Sequence, residues 1–129
     1  MSTAQGTSKR VLIVEDDEIA RNTLGLFLES EGYLVASAAN GREALHYLEQ
    51  HDRPHLILLD LAMPVMNGWE FRHQQKQDQR LASIPVVICS SSENLKEESL
   101  RAGAATFLQK PVELDELLET VRHHCKCNS

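Results

Sequence analysis

The sequence of 129 residues lacks the features that mark several common classes of protein. It has no apolar run of about eighteen residues, so no transmembrane helix is predicted. Residues 1–8 are small and polar, without the apolar segment of a secretory signal. Asp and Glu outnumber Lys and Arg by 19 to 13, and this excess of acid argues against direct binding to nucleic acid. Three cysteines without a secretory signal favour a reducing cytoplasm.

The length fits one domain, and a composition of 42% hydrophobic and 25% charged residues is typical of soluble proteins. We predict a disordered leader at 1–8, one folded domain at 9–125 and a flexible tail at 126–129. Cys89 lies in an apolar run and is expected to be buried. The sequence His-His-Cys-Lys-Cys near the C-terminus is interpreted as a frayed helix end, because the second ligand pair of a zinc site is missing.

Short apolar runs alternate with longer amphipathic segments, which predicts five strands and five helices. The predicted strands are 9–14, 33–37, 55–60, 86–89 and 106–109. The predicted helices occupy 17–30, a segment that Asn40 caps, 68–79, a segment after Ser92 that Gly103 ends, and a last segment that includes Leu114 and Val121. This alternation is typical of an α/β domain with a parallel sheet and helices on both faces.

Polar side chains are predicted to collect where the strands end. In such sheets the functional crevice lies at the carboxyl ends of the strands. One such residue after a strand is commonly a helix cap, but several at the same edge indicate a shared site. The residues in these positions are Glu15, Asp16, Asp60, Ser90, Lys110 and Pro111.

The charges of this group predict its chemistry. Three carboxylates repel one another unless a hard divalent cation lies among them, and oxygen ligands suit Mg²⁺, or Mn²⁺ in its place. Asp60 is the best candidate for a nucleophile toward a phosphoryl group, because its strand is central and carries no other acid. Lys110 would offset charge in transfer, and Ser90 would donate a hydrogen bond to the transferred group.

Four stretches in this order resemble the receiver domain of two-component response regulators, over residues 9–125. They read VLIVEDDE, LILLDLAMP with Asn-Gly after it, IPVVICS, and GAATFLQKP. The resemblance implies a flavodoxin-like, doubly wound (βα)5 fold with a five-stranded parallel sheet in the order 2-1-3-4-5.

The resemblance also implies a role for each matching residue. Asp60 would be the phosphorylated aspartate, and Asp17 a solvated residue at the start of a helix. Metal would be held by Glu15, Asp16, Asp60 and the backbone carbonyl of Ala62. The residues that respond to phosphorylation would be Ser90 as the switch hydroxyl, Phe107 as the switch aromatic, and Lys110, whose bond to Pro111 is often cis in this family.

The partners implied by the resemblance are a sensor histidine kinase or a histidine phosphotransfer protein as phosphoryl donor. A downstream protein would bind a switching face made of the fourth predicted helix, the fifth strand and the last helix. The chain would not be an enzyme beyond phosphotransfer to its own aspartate and autodephosphorylation. It would be cytoplasmic, a monomer or weak dimer, without direct contact to nucleic acid or insertion in a membrane.

Three other functions are compatible with an α/β domain of this kind, and the sequence argues against each. An interaction module that works without phosphorylation normally loses an acid or the lysine, and this chain keeps them. A phosphatase with an Asp nucleophile needs a second Asp two residues later, where this chain has Ala62. A flavin or dinucleotide site needs a glycine- or hydroxyl-rich loop after the first strand, where this chain has four acids that repel phosphate.

Overall fold

The fold is a five-stranded parallel sheet with helices on both faces. A computed structural model describes residues 9–61 and 66–125. The strand order is β2-β1-β3-β4-β5, which confirms the predicted fold class. The strands are β1 Arg10–Val14, β2 Leu34–Ala38, β3 Leu56–Asp60, β4 Val86–Ser90 and β5 Thr106–Gln109.

Six α-helices connect and flank these strands in the described part of the chain, one more than the sequence predicts. They are α1 Glu18–Ser30, α2 Gly41–Gln50, α3 Gly68–Gln77, α4 Gln79–Ala82, α5 Lys96–Arg101 and α6 Leu114–Cys125. A 3₁₀ turn at Glu93–Leu95 precedes α5. Within the described residues, no helix is both long and apolar enough to cross a membrane.

The core has two layers, one on each face of the sheet. Leu28 of α1 packs with Leu117 and Val121 of α6 on one face. Ala44 of α2 and Phe71 of α3 pack on the other. All five residues of β3 and of β4 are buried, as expected for strands covered on both sides. The carboxyl ends of these two strands are therefore rigid platforms for the groups that follow.

Local sequence signals set several boundaries. Asn40 caps α2 by accepting a hydrogen bond from the Glu43 amide at 2.9 Å, as predicted. Gly32, with φ of 98°, follows the end of α1 in the left-handed conformation that glycine tolerates. The second strand was predicted one residue too early, at 33–37. The third helix was predicted to reach residue 79, but Asp78 interrupts it and caps α4 through the Arg80 amide.

A buried polar cluster fixes the end of α3, and no sequence pattern predicts it. Arg72 is 7% exposed and Gln75 is fully buried. The Arg72 guanidinium donates to Gln75 Oε1 at 2.8 Å and to the Ala102 carbonyl after α5 at 3.0 Å. The Gln75 amide group donates to the carbonyls of Leu81 at 2.8 Å and Ile84 at 3.2 Å. One chain of hydrogen bonds thus joins α3 to the segments that lead into β4 and β5.

Candidate functional site

The three predicted acids meet at the carboxyl edge of the sheet. Glu15, Asp16 and Asp60 each offer a carboxylate oxygen within 4.8 Å of the others. Glu15 is 4% exposed and Asp60 is 6% exposed, whereas Asp16 is open to solvent. Two of the three charges are therefore withdrawn from water, where an unbalanced carboxylate is costly. A cation bound among these carboxylates would offset their negative charge.

Lys110 supplies one positive charge to this group. Its Nζ donates to Glu15 Oε1 at 2.8 Å and lies 3.5 Å from Asp60 Oδ2. Burial lowers the pKa of Lys110, but the hydrogen bond to Glu15 and the charges of Asp60 and Glu15 outweigh burial and raise it. Lys110 is thus held charged beside the predicted nucleophile.

The donor set fits the metal that the resemblance implies. Three carboxylates carry three negative charges, and Lys110 offsets one of them. The remaining charge and the all-oxygen ligands match a hard divalent cation such as Mg²⁺. Ala62, whose carbonyl was predicted as a further ligand, lies outside the described residues.

The loop from β1 into α1 holds Glu15 and Asp16 through contacts that the sequence did not predict. Arg21 Nη1 donates to the Glu15 carbonyl at 2.7 Å and lies 3.4 Å from the Asp16 carbonyl. The Asp17 amide donates to Glu15 Oε2 at 3.1 Å. Asp17 itself caps α1 by accepting from the Ile19 amide, which agrees with its predicted place at a helix start. An arginine four residues after a cap gives no recognisable signal in a sequence, because most such residues face solvent.

Ser90 and Phe107 lie on the adjacent strands β4 and β5. Ser90 is 7% exposed, and its Oγ accepts a hydrogen bond from the Ser92 amide at 3.1 Å. That contact uses the oxygen as an acceptor and leaves the hydroxyl proton for an incoming oxygen. Phe107 is buried in the core layer that also contains Phe71 of α3. The backbone of Ser90 also accepts from the Lys110 amide at 2.9 Å, and the Lys110–Pro111 bond is cis.

A thiol lies next to the acids on the neighbouring strand. The Cα of Cys89 pairs with that of Asp60 across β3 and β4, and Cys89 is buried as predicted. The pKa of the Cys89 thiol is raised to about 12, chiefly by burial and also by the charges of Asp60 and Glu15, against the opposing effect of Lys110. Cys89 is therefore a neutral packing residue at neutral pH.

An open cleft of about 580 Å³ borders the acids. Glu15, Asp60 and Lys110 line one end of it. The rest is mainly apolar and comes from α1, through residues such as Leu24, and from the segment after β5, through Val112. A group that approaches Asp60 from this side would meet apolar walls and one cation.

Comparison with known proteins identifies the family of this site. The family model described as response regulator receiver domain matches residues 11–122. Protein PilH of Pseudomonas aeruginosa is 32% identical over 87% of this chain and 93% of that protein. The polar-differentiation response regulator DivK of Brucella anthropi is 33% identical over 90% of this chain and 95% of its own length.

Solved structures agree with this assignment. The Vibrio cholerae chemotaxis protein CheY4 has a TM-score of 0.82 at 32% identity, over 91% of this chain and 98% of that one. Receiver domains act as phosphoacceptors and bind Mg²⁺ at an acidic pocket, and this chain has an acidic group made of Glu15, Asp16 and Asp60. The chain belongs to the family of response regulator receiver domains.

Proposed function

We propose that the chain accepts a phosphoryl group on Asp60 from a phosphohistidine donor, with Mg²⁺ held by Glu15, Asp16, Asp60 and the Ala62 carbonyl. The observation that carries this proposal is the meeting of three carboxylates and Lys110 at one edge of the sheet. The donor would be a sensor histidine kinase or a histidine phosphotransfer protein, and the site of action would be the cytoplasm.

In the proposed reaction an Asp60 oxygen attacks phosphorus while the bond from phosphorus to the donor imidazole nitrogen breaks. The imidazole leaves with that electron pair, and Asp60 becomes an acyl phosphate. Mg²⁺, when bound, would offset negative charge on the phosphoryl oxygens. Lys110 lies 3.5 Å from Asp60 Oδ2 and is positioned to bind one of the same oxygens. The chain would be a phosphoacceptor that catalyses only its own phosphorylation and dephosphorylation.

The proposed response begins at Ser90. Its hydroxyl would donate to the phosphoryl group, and the 3.1 Å contact with the Ser92 amide would then change. Ser92 directly precedes the 3₁₀ turn and α5, and no side-chain hydrogen bond caps either segment. Because Phe107 is already buried, it would respond by repacking and not by leaving solvent.

The surface that changes would be formed by the 3₁₀ turn and α5, by β5 and by α6. These elements correspond to the fourth helix, fifth strand and last helix of the sequence prediction. A shift from mostly inactive to mostly active needs ~5.5 kcal/mol. Charge-assisted hydrogen bonds of ~1.5–3 kcal/mol each from Ser90 and Lys110 could supply much of this. A downstream protein would bind this face.

The test is incubation with acetyl phosphate and Mg²⁺, followed by mass spectrometry of the intact chain. We expect a gain of one phosphoryl group in the wild type and in Asp52→Asn, which changes an exposed acid away from the site. We expect no gain in Asp60→Asn and a much smaller one without Mg²⁺. A wild type that forms no adduct with acetyl phosphate or phosphoramidate would instead favour an interaction module that works without phosphorylation.

A further inference from the structure

The two acids that leave β1 are consecutive in the chain, yet both reach the same site. Side chains of successive residues in an extended strand point to opposite faces. Glu15 still continues the sheet, because its amide donates to the Ala38 carbonyl at 3.0 Å. Asp16 lies in a bend, and its carboxylate comes within 4.8 Å of those of Glu15 and Asp60. The bend after Glu15 is therefore what brings the two carboxylates together.

Arg21 contacts the backbone carbonyls of all three residues of this bend, residues 15–17. Arg21 Nη1 donates to the Glu15 carbonyl at 2.7 Å and approaches the Asp16 carbonyl at 3.4 Å. The backbone amide of Arg21 donates to the Asp17 carbonyl at 2.9 Å. Arg21 is half-buried on the first turn of α1, so its long side chain is packed and not free in solvent. The carbonyls of three successive residues are thus all bound by Arg21, which lies on the rigid helix α1.

We propose that Arg21 is the positioning residue of the acidic site, which sets the metal affinity by fixing the bend that presents Glu15 and Asp16. This rests on the proposed function, in which those acids hold Mg²⁺. Two effects oppose each other. The positive charge of Arg21 repels a cation, whereas its hydrogen bonds pre-organise the ligands. Loss of a partner that orients metal ligands typically costs ~10–100-fold in affinity. Because one of the two Arg21 Nη1 contacts lies at the exposed surface, solvent and salt weaken this repulsion, and we expect positioning to dominate.

The experiment compares Mg²⁺ affinity in four proteins by following backbone amide shifts in NMR spectra. For Arg21→Met we expect an affinity about tenfold lower than that of the wild type. Arg21→Lys should fall between them, because an ammonium can still donate a hydrogen bond but lacks the planar fork. Arg42→Met removes an exposed arginine of α2 and serves as the matched control, with an affinity within about twofold of the wild type.

Whether the Mg²⁺ affinity falls or rises in Arg21→Met decides between a positioning role and a role of charge alone. An unchanged or higher Mg²⁺ affinity in this variant would show that only its charge matters, and would overturn the proposal. A second measurement needs no metal. The ¹⁵N order parameters of residues 15–17 should fall in Arg21→Met while those of the sheet stay the same. If these order parameters do not change, the proposal is wrong.

This design separates the positioning role from the proposed function. A wild type that binds no Mg²⁺ would count against the proposed function, and the order parameters would still test Arg21. A general loss of stability would lower order parameters and melting temperature together, without a selective effect at residues 15–17. Phosphorylation of Arg21→Met by acetyl phosphate should need a higher Mg²⁺ concentration than the wild type needs to reach half of its maximal extent.

Discussion

Lys110 and Arg72 are positively charged side chains within the fold, and their charges are balanced in opposite ways. Lys110 sits between two carboxylates at the carboxyl edge of the sheet, with 29% of its side chain exposed. Arg72 is almost fully buried near the amino ends of β4 and β5, and it donates to the neutral oxygens of Gln75 and Ala102. Fixed amide dipoles hold a guanidinium in one geometry, whereas a lysine between two charges can be shared with an incoming anion. The difference separates a structural junction from a reactive site.

The largest loss of stability is expected from Gln75→Leu, which breaks the hydrogen bonds of Arg72 and Gln75 at the end of α3. The substitution leaves the buried guanidinium short of an acceptor and the Ile84 carbonyl without the Gln75 donor, while the Leu81 carbonyl keeps the Ile84 amide. We expect a loss of about 3 kcal/mol in the free energy of unfolding, measured with urea. Gln74→Leu, at an exposed position of the same helix, is the control. The double variant with Arg72→Met should lose less than the sum of the single losses, and strict additivity would contradict the coupling.

Lys110→Met tests the other cation. In metal-free protein we expect a loss of about 1–2 kcal/mol in unfolding free energy, because the Glu15 hydrogen bond is charge-assisted but partly exposed. Mg²⁺ should then stabilise the variant more than the wild type, since it would neutralise the same carboxylates. The Arg72 variants should gain no more from Mg²⁺ than the wild type does. Lys96→Met, at an exposed position of α5, should behave as the wild type.

Two buried serines, Ser90 at the acidic site and Ser99 in α5, allow a matched comparison of a hydroxyl that has a hydrogen-bond partner with one that has none among the described residues. Ser99 Oγ in α5 has no hydrogen-bond partner among the described residues, whereas Ser90 Oγ accepts from the Ser92 amide. Ser99→Ala should therefore raise the unfolding free energy by about 1 kcal/mol, and Ser90→Ala should lower it by about the same amount. Thermal unfolding measured side by side checks the two signs. Equal signs would mean that the two hydroxyls have the same hydrogen-bond state.

The smallest effect is expected from alkaline pH. The pKa of Lys110 is raised above its ordinary value of 10.5, so its contribution is fully present below that pH. The contribution is lost as the pH rises through the higher value of the folded protein. Burial lowers the pKa of Arg72 below its ordinary value, but arginine stays charged over this range. The loss of stability as the pH rises above 10.5 should thus be smaller in Lys110→Met than in the wild type.

Much of the fold follows from patterns that a sequence displays. The strand 106–109 and the cap at Asn40 were predicted as the structure has them, because strand alternation and side-chain caps are local effects. The break at Asp78 was missed. Polar residues continue on both sides of it, and the interruption depends on Gln75, which binds the carbonyls beyond the break. A local pattern does not contain that contact.

The candidate site was also predictable in part. The rule that strand ends share one edge brought Glu15, Asp16 and Asp60 together without any knowledge of their distances. Arg21 and Arg72 were not predicted, because a polar residue in a helix is usually solvated and only tertiary contacts distinguish a buried one. The roles of Ser90 and Phe107 and the limits of the domain remain predictions.

The protonated thiol of Cys89 has a consequence for the chemistry that the neighbouring acids can support. A thiol with a pKa of about 12 offers almost no thiolate at neutral pH, so it competes poorly as a ligand for soft metals. The ligands that Glu15, Asp16 and Asp60 present to a cation are carboxylate oxygens, whereas the sulfur on the adjacent strand is buried and protonated. The same protonation slows reaction of the thiol with peroxide and with alkylating reagents. Burial of one side chain thus limits thiolate chemistry beside the acidic site.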